Sequence, residues 1–186
     1  MLVLLALRLR SRAPTAAVVE TFDSLGGAGE RGAELLAAAE ALDQVRRRGE
    51  EMRWSLTPAG SAELAAHLAA ETDRAGRADL ITAYEAFLPQ NRAFLAAVSS
   101  GSSLAEVRGL VDELVPVLRA LTARLARFGG YEYRFSVALA RAADDDEWIA
   151  RPSVDSVHTI WFELHEHLLA TLGRDRTQER VRLEED

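Results

Sequence analysis

Three consecutive arginines, Arg46, Arg47 and Arg48, form the densest group of cations in the sequence. A guanidinium is always charged and presents its N–H donors as a planar fork that fits phosphate and carboxylate oxygens. The group could therefore bind the phosphates of a nucleic acid. It could also be a solvated strand end that pairs with neighbouring acids such as Glu50 and Glu51, and surface pairs of this kind contribute little to stability.

A second group of polar side chains has the residue types of a metal site but not the spacing. His158, Glu163, His165, Glu166 and His167 lie within ten residues of one another. Glu163 and His167 are four residues apart, whereas His158 and His165 are separated by about 10.5 Å of helix rise. Because one ion cannot bind both of these histidines, the sequence predicts no metal site. Glu163 and His167 are interpreted as an exposed helical pair.

Catalytic motifs are missing from the sequence. It contains no Cys, which removes thiolate nucleophiles, disulfides and Cys-type zinc sites together. No glycine-rich loop follows a strand, and no Gly-x-Ser-x-Gly motif occurs. We therefore expect no catalytic residues, no cofactor and no enzyme activity.

Aromatic and polar residues in the helical remainder of the chain could line a pocket for a small-molecule effector. The alternative interpretation is that they fill the core and its rim. The residues concerned are Tyr84, Arg92, Tyr131, Tyr133, Trp148, Trp161 and His165.

The elements that must position these groups begin with three helices. Residues 2–10 are apolar and end in alternating arginines, which predicts a helix; no charged segment precedes them, as a signal peptide would require. A second helix is expected over residues 15–22, with Thr15 as its N-cap. Apolar residues at helical spacing predict a third helix from residue 30 onward. Its apolar stripe consists of Leu35, Leu36, Ala39, Leu42 and Val45.

A short hairpin is predicted after the third helix. Residues 45–48 and 52–56 alternate as two strands do, and Gly49, Glu50 and Glu51 connect them. Thr57 and Pro58 then provide an N-cap and a first-turn proline, which together signal the start of a helix.

Only helices are predicted beyond Pro58. Ser103 and Glu106 form a capping box that opens one of them, and Pro89 is expected to bend or break another. In the last helix, Trp161 is expected in the core, with Glu163, Glu166 and His167 on the opposite side. The predicted helices cover about 58–70, 77–99, 104–128, 133–143 and 154–173.

Residues 33–60, AELLAAAEALDQVRRRGEEMRWSLTPAG, resemble the helix, strand, short wing and LT..G motif of MarR-type and PadR-type bacterial transcription regulators. Leu42 and Val45 stand at the junction of helix and strand, and residues 56–60 form the closing motif. The resemblance implies a winged helix-turn-helix over residues 1–70. It also implies that the third helix enters the major groove and that the wing contacts the DNA backbone or minor groove.

The same resemblance assigns residues to DNA. The groove-facing set is Arg31, Glu34, Ala38 and Ala41 or, with a small rotation of the helix, Glu30, Ala37, Glu40 and Gln44. Specific base contacts come mainly from Arg, Lys, Asn and Gln. The DNA-binding residues implied are Arg31, Gln44, Arg46, Arg47, Arg48 and Arg53.

The expected fold is mainly α. It comprises a winged helix-turn-helix with a two-stranded hairpin at 1–70 and an all-helical domain at 71–175. The tail at 176–186 alternates charges and is predicted to be disordered. Regulators of the resembled types dimerise through helices outside the winged domain, so a homodimer under effector control is implied.

The charge distribution leaves two functions open. The net charge of −7 is unfavourable for a general polyanion binder, but residues 1–67 carry only −1 of it, with 8 Arg against 9 acids. One function is a cytoplasmic, DNA-binding transcription regulator with no membrane association. The other is a winged-helix module that has lost DNA binding and engages a protein partner, because its third helix and wing are acidic.

Overall fold

The described part of the chain consists of helices and one short hairpin, which confirms the mainly α prediction. The structure, a computed structural model, describes residues 1–49, 52–152 and 154–174. Two acids of the predicted wing, Glu50 and Glu51, and the predicted tail at 176–186 lie outside the described residues. The helices are α1 (Leu2–Arg10), α2 (Thr15–Ser24), α3 (Gly32–Ala41), α4 (Pro58–Ala75), α5 (Arg77–Ser100), α6 (Leu104–Arg124), α7 (Gly130–Ala142) and α8 (Val157–Leu172), and the strands are β1 (Val45–Arg48) and β2 (Arg53–Leu56).

The chain divides into two units by its internal contacts. The first contains Met1–Ala75 and the chain from Glu166 onward, and the second is Gly76–His165. Residue 70, where the sequence placed a domain boundary, lies inside α4, which continues until Gly76 adopts a left-handed φ of 99°. Glycine reaches this conformation at little cost, so it ends the helix.

The first unit is built around α1, which is apolar on nearly every side. Helix α1 contacts α2, α3, α4 and β2. A helix that is hydrophobic all round is expected to be buried, and the predicted helix over these residues is confirmed. Its buried side chains are Val3, Leu4, Leu5, Ala6, Leu7 and Leu9.

The hairpin is joined to the segment between α1 and α2. Trp54 exchanges two backbone hydrogen bonds with Ala13, at 2.8 and 3.2 Å, and its Nε1 donates to Thr15 Oγ1 at 2.9 Å. The prediction that Thr15 is the N-cap of α2 is wrong, because Pro14 takes that position and Thr15 is the first helical residue. The Thr15 hydroxyl fixes the indole of Trp54 instead.

The start of α4 confirms the Thr57–Pro58 signal. Thr57 Oγ1 accepts the Gly60 N–H at 3.0 Å, as an N-cap does, and donates to the Asp43 carbonyl at 2.5 Å. A Cβ added to Gly60 would lie 1.9 Å from the Gln44 carbonyl oxygen. Only glycine therefore allows α4 to approach the base of the hairpin this closely.

Helix α3 is shorter than its apolar stripe predicted. It ends at Ala41, and Asp43 turns the chain towards β1 with a left-handed φ of 54°. Leu36 and Ala39 are buried as expected, but Leu42 is 68% exposed because it lies in this turn. The prediction that Leu42 continues the buried stripe is wrong.

The second unit contains α5, α6, α7 and the first half of α8. Helix α5 continues through Pro89, so the helix is not broken there, and a bend at Pro89 stays a prediction. Buried residues of α5 lie on both sides of the proline, including Phe87 and Phe94, and their packing maintains the helix despite the hydrogen bond that proline removes. The capping box of α6 is confirmed, with Ser103 N donating to Glu106 Oε2 at 2.8 Å.

Candidate nucleic-acid interface

The hairpin has two different faces. Residues opposite each other on paired strands project to the same side of a sheet. Val45 pairs with Leu56 and Arg47 with Trp54 on the inner face, where Val45 and Trp54 are buried. The outer face consists of Arg46 paired with Ser55 and Arg48 paired with Arg53.

On the inner face, Arg47 is engaged by the protein itself. Its Nε and Nη2 donate to the two carboxylate oxygens of Glu40 on α3, at 3.2 and 2.9 Å. Its guanidinium carbon also lies 4.8 Å from the centroid of a Trp54 ring. These contacts tie β1 to α3 and to β2, and they occupy the guanidinium fork that the resemblance to winged-helix regulators assigns to DNA.

The outer face carries the remaining hairpin arginines. Arg46 and Arg48 are exposed and Arg53 is half-buried. Arg12 joins them, because its Nη2 donates to the Arg48 carbonyl at 3.5 Å. Sequence reasoning missed Arg12 because nothing in the pattern showed that Ala13 would pair with Trp54 and bring the preceding residue to the hairpin.

Helix α3 presents small side chains to solvent. Arg31 is exposed at its N-cap position, whereas Gln44 is half-buried and its carbonyl accepts the Thr57 N–H at 3.0 Å. Glu40 is half-buried and bound to Arg47. Most of this surface is therefore methyl groups, with one exposed carboxylate, Glu34, in the first turn of the helix. The exposed residues of α3 are Ala33, Glu34, Ala37, Ala38 and Ala41, and Glu30, which precedes the helix, is also exposed.

The residues predicted to line an effector pocket are distributed between the core and the surface of the second unit. Arg92 and Tyr133 are exposed, and Trp148 is half-buried with the Arg141 guanidinium carbon 4.5 Å from its ring centroid. The effector pocket stays a prediction. The buried members of the set are Tyr84, Tyr131, Trp161 and His165.

Trp161 is the centre of the aromatic core of the second unit. Its ring stacks on Phe94 with centroids 4.0 Å apart, and Phe87 and Phe135 each lie 5.9 Å away. The indole Nε1 donates to Asn91 Oδ1 at 3.0 Å, so its polar atom is satisfied.

Three polar residues of α8 that the sequence predicts on its solvent side are buried. Glu163 is 3% exposed, Glu166 9% and His167 0%. Glu163 accepts two hydrogen bonds from Arg134, so the interpretation of Glu163 and His167 as an exposed pair is wrong. Within the described residues, no group of three or more His, Cys, Asp or Glu could hold a metal ion.

Comparison of the chain with family models, with curated proteins and with solved structures finds no match. Across residues 1–49, 52–152 and 154–174, no helix has both the length and the apolar character needed to cross a membrane.

Proposed function

We propose that the first unit is a winged helix-turn-helix and that the protein is a DNA-binding, transcription-regulator-like protein. The order of elements supports the fold: α1, the Ala13 bridge, α2, α3, the hairpin and α4. In this arrangement the hairpin is the wing and α3 is the recognition helix. As in the resembled regulators, the protein is a cytoplasmic homodimer whose helical unit provides the dimer contacts and responds to an effector.

The observation that carries this function is the outer face of the hairpin. Arg46, Arg48 and Arg53 share it, and Arg12 lies beside it. Phosphate neutralisation provides most of the affinity of non-specific DNA binding. A local group of arginines can supply it even in a chain of net charge −7, because exposed charges farther apart than about 8 Å are screened at physiological salt.

The surface of α3 indicates how the sequence of the DNA would be read. Alanine methyl groups can contact the methyl group of thymine, whereas base hydrogen bonds require Arg, Lys, Asn or Gln. Arg31 is the one such side chain exposed among the predicted groove residues that the structure describes. We therefore expect affinity to come from phosphates and only modest discrimination between sequences.

The test is fluorescence anisotropy of the full-length protein with duplex DNA from the region upstream of its own gene, measured over a range of salt concentrations. We expect binding at low salt, and replacing both Arg46 and Arg48 by Ala should reduce the slope of log K against log salt by about 2 for each protomer that contacts the DNA. Arg108→Ala is the matched control, because Arg108 is exposed on α6 of the other unit. Lack of binding at low salt would overturn the proposal.

A second candidate function is a winged-helix module that binds a protein. The observation in its favour is that Ala37, Ala38 and Ala41 are exposed on α3, with Leu42 68% and Met52 53% exposed nearby in the chain. Exposed large apolar side chains of this kind mark interaction sites when they are contiguous.

This second function predicts no DNA binding together with a specific partner at α3. A photocrosslinking residue at position 42 should capture one protein in the native cells, and Ala38→Arg should abolish the capture. A crosslinker at Ala120, exposed on α6, is the control. Binding of DNA through Arg46 and Arg48 would contradict the loss of DNA binding.

A further inference from the structure

The first unit contains a cavity of about 180 Å³ that the predicted function does not use. It is bounded by the end of α1, by β2, by the first half of α4 and by the C-terminal end of α8. Leu64 and Leu68 are buried, and with the half-buried Leu56 they are the large apolar residues of its lining. An apolar wall with a few converging polar groups is the usual composition of a small-molecule site.

Two arginines also line this cavity. Arg8 comes from the end of α1, and Arg174 follows α8 directly. Among the described residues that line the cavity, none is acidic. Arg8 Nη1 donates to Glu166 at 3.2 Å, which uses one of the five N–H donors of the guanidinium.

The end of α8 fixes the backbone from which Arg174 projects. Gly173 has a left-handed φ of 66°, and its N–H donates to the Ala170 carbonyl at 3.2 Å. The Arg174 N–H donates to the Leu169 carbonyl at 2.9 Å, which completes a Schellman motif. The position of Arg174 at the cavity is therefore set by a defined helix end.

We propose that this cavity binds a small carboxylate with an apolar body. The carboxylate lies against Arg8 and Arg174, since guanidinium groups bind it in a bidentate, charge-assisted geometry. The apolar body lies on Leu56, Leu64 and Leu68. A cavity of about 150 Å³ holds a molecule of the size of benzene, so this one has room for a chain of roughly six carbons.

The ligand would contact the base of the hairpin. Leu56 belongs to β2 and pairs directly with Val45 of β1. The binding site itself consists only of residues in the first unit and does not depend on whether the hairpin holds DNA. The proposal is therefore tested without nucleic acid, and its failure is distinct from a failure of the proposed function.

The experiment is isothermal titration calorimetry of the full-length protein with hexanoate, and with 1-hexanol as the uncharged analogue. We expect saturable binding of hexanoate and much weaker binding of hexanol. Arg174→Ala should weaken hexanoate binding about tenfold, the size of effect expected for one charge-assisted contact. Ala65→Trp should abolish it, because Ala65 is an exposed residue of the lining and a bulky side chain there fills the space.

Arg108→Ala is again the matched control, since it removes an exposed arginine far along the chain from the cavity residues. The two test substitutions lie on different elements, and thermal unfolding of each variant verifies that the fold is intact. The proposal is overturned if hexanoate shows no saturable binding, if hexanol binds equally well, or if the folded variants retain the native affinity.

Discussion

Arg134 in the second unit and Arg46 and Arg48 in the first unit occupy opposite environments. In the second unit, the side chain of Arg134 is 11% exposed and donates two hydrogen bonds to Asp155, both at 2.8 Å, and two to Glu163, at 2.6 and 3.0 Å. In the first unit, Arg46 and Arg48 project from the outer face of a hairpin and are exposed. One environment uses the cation to hold helices together, and the other leaves it accessible to a ligand.

The environment also determines the electrostatics of the buried cation. Burial acts to lower the pKa of Arg134, but the hydrogen bonds to Asp155 and Glu163 outweigh it and raise the pKa above its usual value. The cation is therefore permanently charged and compensated. Because the chain contains no Lys, arginine has to fill both roles, and residue type alone cannot separate them.

The largest predicted effect comes from removing the buried cation. Arg134→Ala leaves the carboxylate of Glu163, whose side chain is 4% exposed, without the guanidinium. Removing one partner of a buried ion pair destabilises a protein by about 3–5 kcal/mol. Urea denaturation of the full chain should show this loss in the free energy of unfolding.

The matched control is Arg119→Ala, because Arg119 and Glu132 form an ion pair at 2.9 Å in the same unit with side chains that are 71% and 46% exposed. This substitution should change the unfolding midpoint little. Replacing both partners, Arg134→Met with Glu163→Leu, should recover much of the lost stability. A small effect of Arg134→Ala would show that the buried and exposed arginines are energetically alike.

The next largest effect concerns the close approach of α4 to the base of the hairpin that carries the exposed arginines. Gly60→Ala places a Cβ 1.9 Å from the Gln44 carbonyl oxygen and forces α4 away from the hairpin. Overpacking of this kind costs about 1–3 kcal/mol. Gly109→Ala is the control, since a Cβ there has no atom within 4 Å among the described residues and should stabilise helix α6 by about 0.5–1 kcal/mol. Equal midpoints for the two variants in chemical denaturation would contradict the close approach.

The hairpin was largely predictable from the sequence because its signals are local. Alternation in residues 45–48 and 52–56, and the Thr57–Pro58 pair, depend only on neighbours in the chain. The capping box at Ser103 and Glu106 is local in the same sense, and it too is confirmed. Helix starts and short strands of this kind are determined by a few adjacent residues, so the sequence alone predicts them.

The contacts of the arginines were not predictable because they depend on residues distant in sequence. Glu163 was assigned to a solvated face by the helical pattern, but Arg134, 29 residues away, draws it into the core. Arg47 was grouped with Arg46 and Arg48 by adjacency, although strand alternation and Glu40 place it on the opposite face. Consecutive residues of a strand project to opposite faces of the sheet. A run of like residues in a strand therefore has to be assigned to the two faces before a role is given to each residue.

The two faces of the hairpin give a smaller and more specific prediction. Arg47→Ala should reduce stability by about 0.5 kcal/mol, since the side chains of Arg47 and Glu40 are 43% and 35% exposed and surface pairs of this kind are weak. Arg46→Ala should leave stability unchanged, because Arg46 is exposed on the outer face. Denaturation midpoints of the two single variants measure the difference. If Arg46→Ala destabilised the protein more than Arg47→Ala, Arg46 and not Arg47 would be the arginine on the inner face of the hairpin.

The smallest predicted effect concerns the protonation of His158, which lies in the second unit together with Arg134. The His158 ring lies 6.1 Å from that of Phe94, centroid to centroid, and burial lowers the pKa of this histidine from its usual value near 6.5. Since the unfolded chain then binds the proton more readily than the folded one, stability must fall as the pH drops through 6.5 and level off below the folded-state pKa. Denaturation between pH 7 and pH 5 should show this decline in the free energy of unfolding, and His158→Gln should remove the decline.

His67→Gln, at an exposed position on α4, is the control and should preserve the decline. The opposite outcome would be a free energy of unfolding that rises towards pH 5 in the unmodified protein but not in His158→Gln. It would mean that the folded state stabilises the charged imidazole, as it stabilises the guanidinium of Arg134.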